Sequence, residues 1–457
     1  MAVSMAMQGG IGIIHRFLDI ADQADMVRRV KRRTHNEPID NPYTIYSMAT
    51  ITDLRVEMKV VNVSSLIVVS SDRKCAGIIT GRDLHCWEVE VDISNMNAAE
   101  RKRLEDKTLV RDLMTPLDKL IYVEEGTGMA EAVKKMTTHR IEKLPYLDKE
   151  GHVKGVLTLR DVTFYQNNRG HSTLDNKGRF MVGAAVGVKP EDRERAAALS
   201  RAECDVFVID IAHGHSDHTA DMVKFLKKAY PHIDVIAGNV ATAEGVKFLA
   251  EAGADAVKVN IGAGSICTTR IMTGCGVPQF TAVLNCAKAG RECGVPIISD
   301  GGNQGKIGNI VKALGAGASC VMLGNFLAGT DESPGKVLIK DGKKVKLIRG
   351  MASYGAHFSR ARVDSDRETI RDRMKSGEMS RVINLSDEND VVPEGVEAYV
   401  NYKGSVKDIL FQIQGGIRSG ASYCGAHTIS ELHAKATFQK TTASGIKESG
   451  SHSVTTF

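Results

Sequence analysis

The chain has 457 residues, 42% of them hydrophobic, and sets 60 Lys and Arg against 55 Asp and Glu for a net charge of +5. That length accommodates two or more domains at about 150 residues each, and charge spread so evenly argues against a nucleic-acid stripe while suiting small anionic substrates. Nine cysteines with no CxxC pair and no His cluster at metal spacing point to neither a disulfide framework nor a zinc site, and so to a reducing compartment.

Targeting signals are equally sparse. No apolar run approaches the ~18 residues of a bilayer span, no secretory signal opens the chain, and the closing HSVTTF is not a peroxisomal address. The expectation is a cytoplasmic protein with no membrane and no nucleic-acid partner.

In chain order, Met1 to Gln8 reads as the end of a helix, GGIGIIH (Gly9 to His15) as a buried strand and Ile20 to Arg33 as an amphipathic helix. From about Asn36 the character changes. GIITGRDL at Gly77–Leu84 and GVLTLRDV at Gly155–Val162 keep one order of apolar run, Thr, Arg and Asp at an offset of 78 residues, which indicates an internal duplication. Each copy is expected to run helix, strand, strand, helix, with LIVV (Leu66 to Val69) and LPYL (Leu144 to Leu147) as the leading strands.

Beyond Arg169, strands alternate with amphipathic helices. MVGAAV, DVFVID, DVIAG, DAVKVN, PIISD and SCVML begin at Met181, Asp205, Asp234, Asp255, Pro296 and Ser319. This is the rhythm of right-handed βαβ units and a parallel sheet. With GGIGIIH there are seven strands where a closed barrel takes eight. The expected fold is therefore α/β, a (β/α)8 TIM barrel whose first strand is missing from this chain, interrupted after its second strand–helix unit. The expected domains are residues 1–38 and 167–457 for the barrel and 39–166 for the inserted repeats. Within the barrel part, the charged stretch Arg360 to Arg381 falls in a flap at about 352–393, and Val406 to Ile417 is an amphipathic helix.

The stretch that carries chemistry is VNIGAGSICTTRIMTGCGVPQ, Val259 to Gln279. It follows a short buried strand, and loops at strand C-termini are where α/β enzymes place reacting groups. Gly262 and Gly264 allow a tight backbone, and Cys267 stands among the hydroxyls of Ser265, Thr268 and Thr269, the layout of a positioned thiol nucleophile. The other eight cysteines read as structural. Gly301, Gly302, Gly324 and Asn325, just after the last two strands, offer backbone amides to a phosphate, with Asp300 placed to reach ribose hydroxyls. VIDIAHGHSDH (Val208 to His218) lacks helical metal-ligand spacing and reads as a polar wall facing a cofactor. In the repeats, Thr80 with Asp83 and Thr158 with Asp161 put a hydroxyl and a carboxylate at helix N-termini, either as caps or as a ribose-holding pair for regulatory nucleotides.

These motifs together resemble a known family. GAGSICTTR, ISDGG, DIAHGHS, AGN at Ala237 to Asn239, RGMAS at Arg349, VPEGVE at Val392 and the opening GGIGIIH are similar, in order, to the signatures of the IMP dehydrogenase and GMP reductase family. The resemblance implies a barrel carrying a pair of inserted CBS repeats, assembled as a homotetramer or homooctamer. It implies that Cys267 attacks purine C2 of a GMP or IMP substrate, that Ser265, Gly302, Gly324 and Asn325 hold the 5′-phosphate, and that Asp300 holds the ribose. Gly301, Arg349, Gly350, Met351 and Ala352 join the nucleotide-binding set. Asp210, Ala212, Asn239 and Gly262 contact the nicotinamide cofactor. The carbonyls of Gly262, Gly264 and Cys267 resemble the family's potassium site, which Glu448, in KESGSHS, completes from a neighbour.

Within this family the dehydrogenase hydrolyses its covalent intermediate with an adjacent Arg-Tyr pair on the flap. This chain has no Arg-Tyr dipeptide, and Tyr354 is the sole tyrosine between Gly350 and Glu394. Thr269 and Glu394 match the pair with which the reductase protonates departing ammonia. The expectation is an NADPH-dependent reductive deamination of GMP to IMP, regulated by purine nucleotides at the CBS repeats. The alternatives are an IMP dehydrogenase using NAD and a catalytically impaired nucleotide sensor.

Overall fold

The structure, a computed structural model, describes residues 1–32, 38–40, 42–61, 63–159, 162, 171–350, 353 and 394–450. It divides into two compact units. One contains residues 1–5, 11–27 and those from Val182 onward, and the other contains Ala6–Gly10 with Arg28–Met181.

The first unit is built on a seven-stranded parallel sheet in strictly sequential order: Gly12–Ile14, Val182–Val186, Val206–Ile209, Asp234–Val240, Ala256–Val259, Ile297–Asp300 and Cys320–Met322. Val182–Val186, Val206–Ile209 and Ala256–Val259 are buried throughout, as strands covered on both faces must be, which is why they read as continuous apolar runs. Helices fill the connections. In Asp217–Ala229 the buried positions Thr219, Met222, Val223 and Leu226 recur at helical spacing and form one inward face. Ile310 and Leu314 of helix Ile307–Gly315 pack with Val406, Leu410 and Ile413 of helix Val406–Tyr423 in one core cluster. This is the expected (β/α) barrel architecture, and Gly12–Ile14 and Cys320–Met322 form the two ends of its sheet.

A three-stranded antiparallel sheet, Leu338–Lys340, Lys343–Arg349 and Glu397–Asn401, was not legible in the sequence. Its residues are largely exposed and alternate with Lys, so no apolar run announces it. The helix expected to end at Ile417 continues to Tyr423. Most of the expected flap lies outside the described residues.

The second unit contains two halves with one topology. In the first, Thr44–Tyr46 runs parallel to Ser65–Val69, which pairs antiparallel with Cys75–Thr80. In the second, Val123–Glu124 runs parallel to Lys143–Leu147, which pairs antiparallel with Val153–Thr158. Even the register irregularities correspond, falling at Val68/Val69 and at Tyr146/Leu147, 78 positions apart. Each half opens with a two- or three-residue strand that leaves no mark in the sequence, because so short a strand has no periodicity to detect. The halves also exchange edges: Thr115–Pro116 joins the first sheet and Ile39–Asp40 the second.

Candidate active site

Strand Ala256–Val259 delivers the chain into the cysteine loop, and helix Thr269–Thr273 takes it out again. The loop is braced from inside. Asn260 Oδ1 accepts the Ala263 amide at 2.8 Å, and Arg270 donates through Nε and Nη2 to the Ile261 carbonyl at 3.3 and 3.1 Å and through Nη2 to the Val277 carbonyl. Gly262, at φ +77°, passes so close to Arg270 that an added Cβ would lie 2.5 Å from its Cγ. Gly262 therefore serves loop closure around an arginine, while Gly264 lies against Cys267, whose Cβ would come 3.1 Å from an added Cβ.

Cys267 is half-buried. Its thiol donates to Thr269 Oγ1 at 3.1 Å, and Thr269 donates onward to Glu394 Oε2 at 2.6 Å. Glu394 lies 125 residues from Thr269 and is brought in by backbone pairing. The Thr268 amide donates to the Glu394 carbonyl at 2.8 Å, the Val396 amide to Ile266 at 3.0 Å, and Cys267 faces Gly395 across an antiparallel bridge. The Gly350 amide in turn donates to Val396 at 3.0 Å, so Gly350 is laid beside the same strip.

At the next strand end, Asp300 accepts from Lys258 Nζ at 2.7 Å and from Asn239 Nδ2 at 3.1 Å. Gly301 and Gly302 follow at φ +81° and +74°, a left-handed backbone open to glycine. The Gly302 amide donates to the Ala263 carbonyl at 3.1 Å, tying this turn to the cysteine loop. Beneath it Gln279 Nε2 reaches the Val259 carbonyl at 2.7 Å and Ser299 Oγ at 3.1 Å. Gly324 faces open space, Asn325 Oδ1 is buried without a partner among the described residues, and Ser265 is exposed.

Asp210, at the end of strand Val206–Ile209, lies 3.7 Å from Arg16 Nε, and Ala212 beyond it is exposed. Asn239 Oδ1 is buried and unpartnered among the described residues, an acceptor suited to the amide protons of a carboxamide. The rings of His213 and His215 stack at 6.3 Å, and His215 lies 4.8 Å from the Phe248 ring, a wall rather than a ligand cluster. For a hard monovalent cation, the carbonyls of Gly262, Gly264 and Cys267 supply the right donor element. Gly264 accepts the Cys267 amide at 3.2 Å and keeps a second lone pair. Glu448 sits on the exposed helix Ala443–Glu448.

Several expected residues stand elsewhere or otherwise engaged. Arg349 pairs with Glu397 at 3.5 Å. Met351, Ala352 and Asp161 lie outside the described residues. Thr80 and Asp83 form a reciprocal capping box, with the Thr80 amide and hydroxyl both donating to Asp83 Oδ2 at 2.7 Å, while Thr158 closes strand Val153–Thr158. Of the eight cysteines read as structural, Cys75, Cys204 and Cys286 are buried, with burial pushing the Cys286 thiol up to about 12, but Cys86, Cys275, Cys293 and Cys320 are exposed. Three residues that brace the site, Arg270, Gln279 and Lys258, are not marked by the sequence motifs. Only Lys258 carried a signal, as the one charge inside a buried strand.

A family model described as the IMP dehydrogenase / GMP reductase domain matches residues 1–452. The inosine-5′-monophosphate dehydrogenase of Nitrosopumilus maritimus is 47% identical over 99% of this chain and 88% of its own length. The GMP reductase of Leishmania donovani is 44% identical over 99% and 87%. The crystal structure of Trypanosoma brucei GMP reductase in complex with guanosine 5′-monophosphate superposes with a TM-score of 0.81 at 42% identity, covering 100% of this chain and 88% of that one. No helix among the described residues is long and apolar enough to cross a membrane. The chain belongs to the IMP dehydrogenase / GMP reductase family of oxidoreductases.

Proposed function

We propose that this protein is a GMP reductase, converting GMP to IMP and ammonia with NADPH through a covalent bond between Cys267 and purine C2. The observation that carries this reading is the unbroken line from Cys267 Sγ through Thr269 Oγ1 to Glu394 Oε2, at 3.1 and 2.6 Å. In that direction the line moves the thiol proton to Glu394 and leaves a thiolate to add to C2. Returned through Thr269, the same proton meets the 2-amino group as the C2–N bond breaks, and ammonia departs. Bound NADPH supplies the hydride equivalent that becomes the C2–H of IMP. The C–S bond then breaks with its electron pair on sulfur, and Cys267 recovers a proton from solvent. Nothing in this sequence requires an activated water, which agrees with a chain that has no Arg-Tyr dipeptide.

Around that line, Ser265, Gly301, Gly302, Gly324 and Asn325 hold the phosphate, Asp300 the ribose, and Arg349, Gly350, Met351 and Ala352 complete the substrate-binding set. Asp210, Ala212, Asn239 and Gly262 receive the cofactor, and the carbonyls of Gly262, Gly264 and Cys267 with a neighbour's Glu448 hold potassium in a cytoplasmic tetramer or octamer. Residues 39–166 are read as the CBS pair, with Thr80/Asp83 and Thr158/Asp161 at two purine-nucleotide pockets. Trypanosoma brucei GMP reductase in complex with guanosine 5′-triphosphate, at a TM-score of 0.70 and 36% identity over 97% of this chain and 86% of that one, supports a regulatory nucleotide. The 47% identity to the Nitrosopumilus maritimus enzyme favours a second reading, an IMP dehydrogenase.

The test is stoichiometry. With GMP and NADPH, one IMP and one ammonia are expected per NADPH oxidised, with none from Cys267→Ala, a rate that falls when sodium replaces potassium and a rate that changes with GTP. Absence of ammonia sinks the reductase; indifference to potassium or to GTP removes that component alone.

A further inference from the structure

We propose that Lys258 is a positioning residue that fixes Asp300 and thereby makes the site select a ribose cis-diol over a 2′-deoxyribose. The proposal rests on reading Asp300 as the ribose-binding carboxylate.

Lys258 is the single charged residue of strand Ala256–Val259 and is only 4% exposed. Its ammonium lies 2.7 Å from Asp300 Oδ2, and Asn239 Nδ2 donates to that same oxygen at 3.1 Å. Asp300 Oδ1 receives no hydrogen bond among the described residues. One oxygen is thus pinned from below by two donors while the other keeps its lone pairs for a ligand. Burial by itself would push the Lys258 ammonium down, but the charges of Asp300 and Asp210 and the Asp300 hydrogen bond outweigh it and hold the group above its ordinary value. Lys258 is therefore charged, and the pin is a charge-assisted bond. Space for it is made by Gly238 on the neighbouring strand, where an added Cβ would come 2.8 Å from the Lys258 Cβ.

A carboxylate held at one oxygen has a single orientation, so its other oxygen stands where two vicinal hydroxyls can both donate. A 2′-deoxy ligand leaves that charged acceptor short of a partner that a fixed side chain cannot replace by turning. Sites built to hydrogen-bond a hydroxyl reject analogues lacking it strongly for this reason. Freed of Lys258, Asp300 rotates to follow whichever ligand is present, and discrimination falls.

The experiment measures dissociation constants by calorimetry on the full chain without cofactor, for GMP against 2′-deoxy-GMP and for IMP against 2′-deoxy-IMP. The wild type is expected to prefer the ribonucleotide by at least about tenfold, the worth of one charged hydrogen bond. In Lys258→Met the preference is expected to collapse to about twofold or less, with Asp300→Asn doing the same and the double variant adding nothing further. If Lys258→Met does not fold, Lys258→Arg keeps the charge but changes reach and shape, and its preference is expected to drop at least about threefold. An unchanged preference in a folded Lys258 variant, or no preference in the wild type, overturns the proposal. A wild type that binds neither purine nucleotide sinks the nucleotide-site reading itself, and the proposal with it, which separates that failure from a failure of Lys258 alone.

Discussion

Thr269 serves two partners with one hydroxyl, accepting from Cys267 at 3.1 Å and donating to Glu394 at 2.6 Å. Valine matches its shape and has no oxygen, so Thr269→Val interrupts the line while leaving the loop its packing. Because a positioned proton donor is worth roughly 10²–10⁴ in rate, kcat is expected to fall by about that factor with KM for GMP nearly unchanged. Steady-state kinetics on GMP check this, and a variant that keeps its kcat would remove Thr269 from the proton path. Cys267 and Thr269 could be singled out from sequence because they share one short motif. Glu394, 125 residues from Thr269, was reachable only through the family resemblance, and Lys258 meets Asp300, 42 residues away, in a pairing that the folded chain supplies.

At the scale of elements, the strands most legible in sequence are those buried on both faces, since their apolar runs need no neighbour to be recognised. The hairpin of Leu338–Lys340 and Lys343–Arg349 was invisible for the opposite reason: exposure leaves its side chains free to be polar. Capping boxes show a different limit. The Thr80 and Asp83 pattern suits both a cap and a ribose site, and the structure shows the cap already made through Asp83 Oδ2.

In the second unit, the Asp175 side chain is 8% exposed and lies between Lys31 Nζ at 2.9 Å and Arg179 Nε at 3.0 Å. Burial would raise its pKa, yet the Lys31 hydrogen bond, the Arg179 amide and the two cations outweigh it and hold the carboxyl below the ordinary 3.8. A depressed carboxyl stabilises the fold above its unfolded pKa and ceases to do so as pH falls through its folded value. Asp175→Asn is expected to cost about 3–5 kcal/mol at neutral pH, because it strands buried charge. The difference from wild type should narrow below a pH of about 3.9. Urea melts across that range test it, and a gap that widens in acid would contradict the assignment.

For the whole molecule, the duplication and the parallel sheet were both legible, one from an offset of 78 residues and the other from repeated strand–helix spacing. What the sequence could not display was how the halves exchange edge strands, since Ile39–Asp40 and Thr115–Pro116 are too short to carry a pattern. The choice between two reactions is also a whole-molecule matter. Relatives at 47% and 44% identity carry the two different activities in their names, and the cysteine loop suits both. The measurement that decides is absorbance at 340 nm, with GMP plus NADPH in one cuvette and IMP plus NAD in the other, for wild type and Cys267→Ala. A fall in absorbance that requires GMP and Cys267, with no signal from IMP and NAD, is the predicted result; NADH formation from IMP would contradict the central claim.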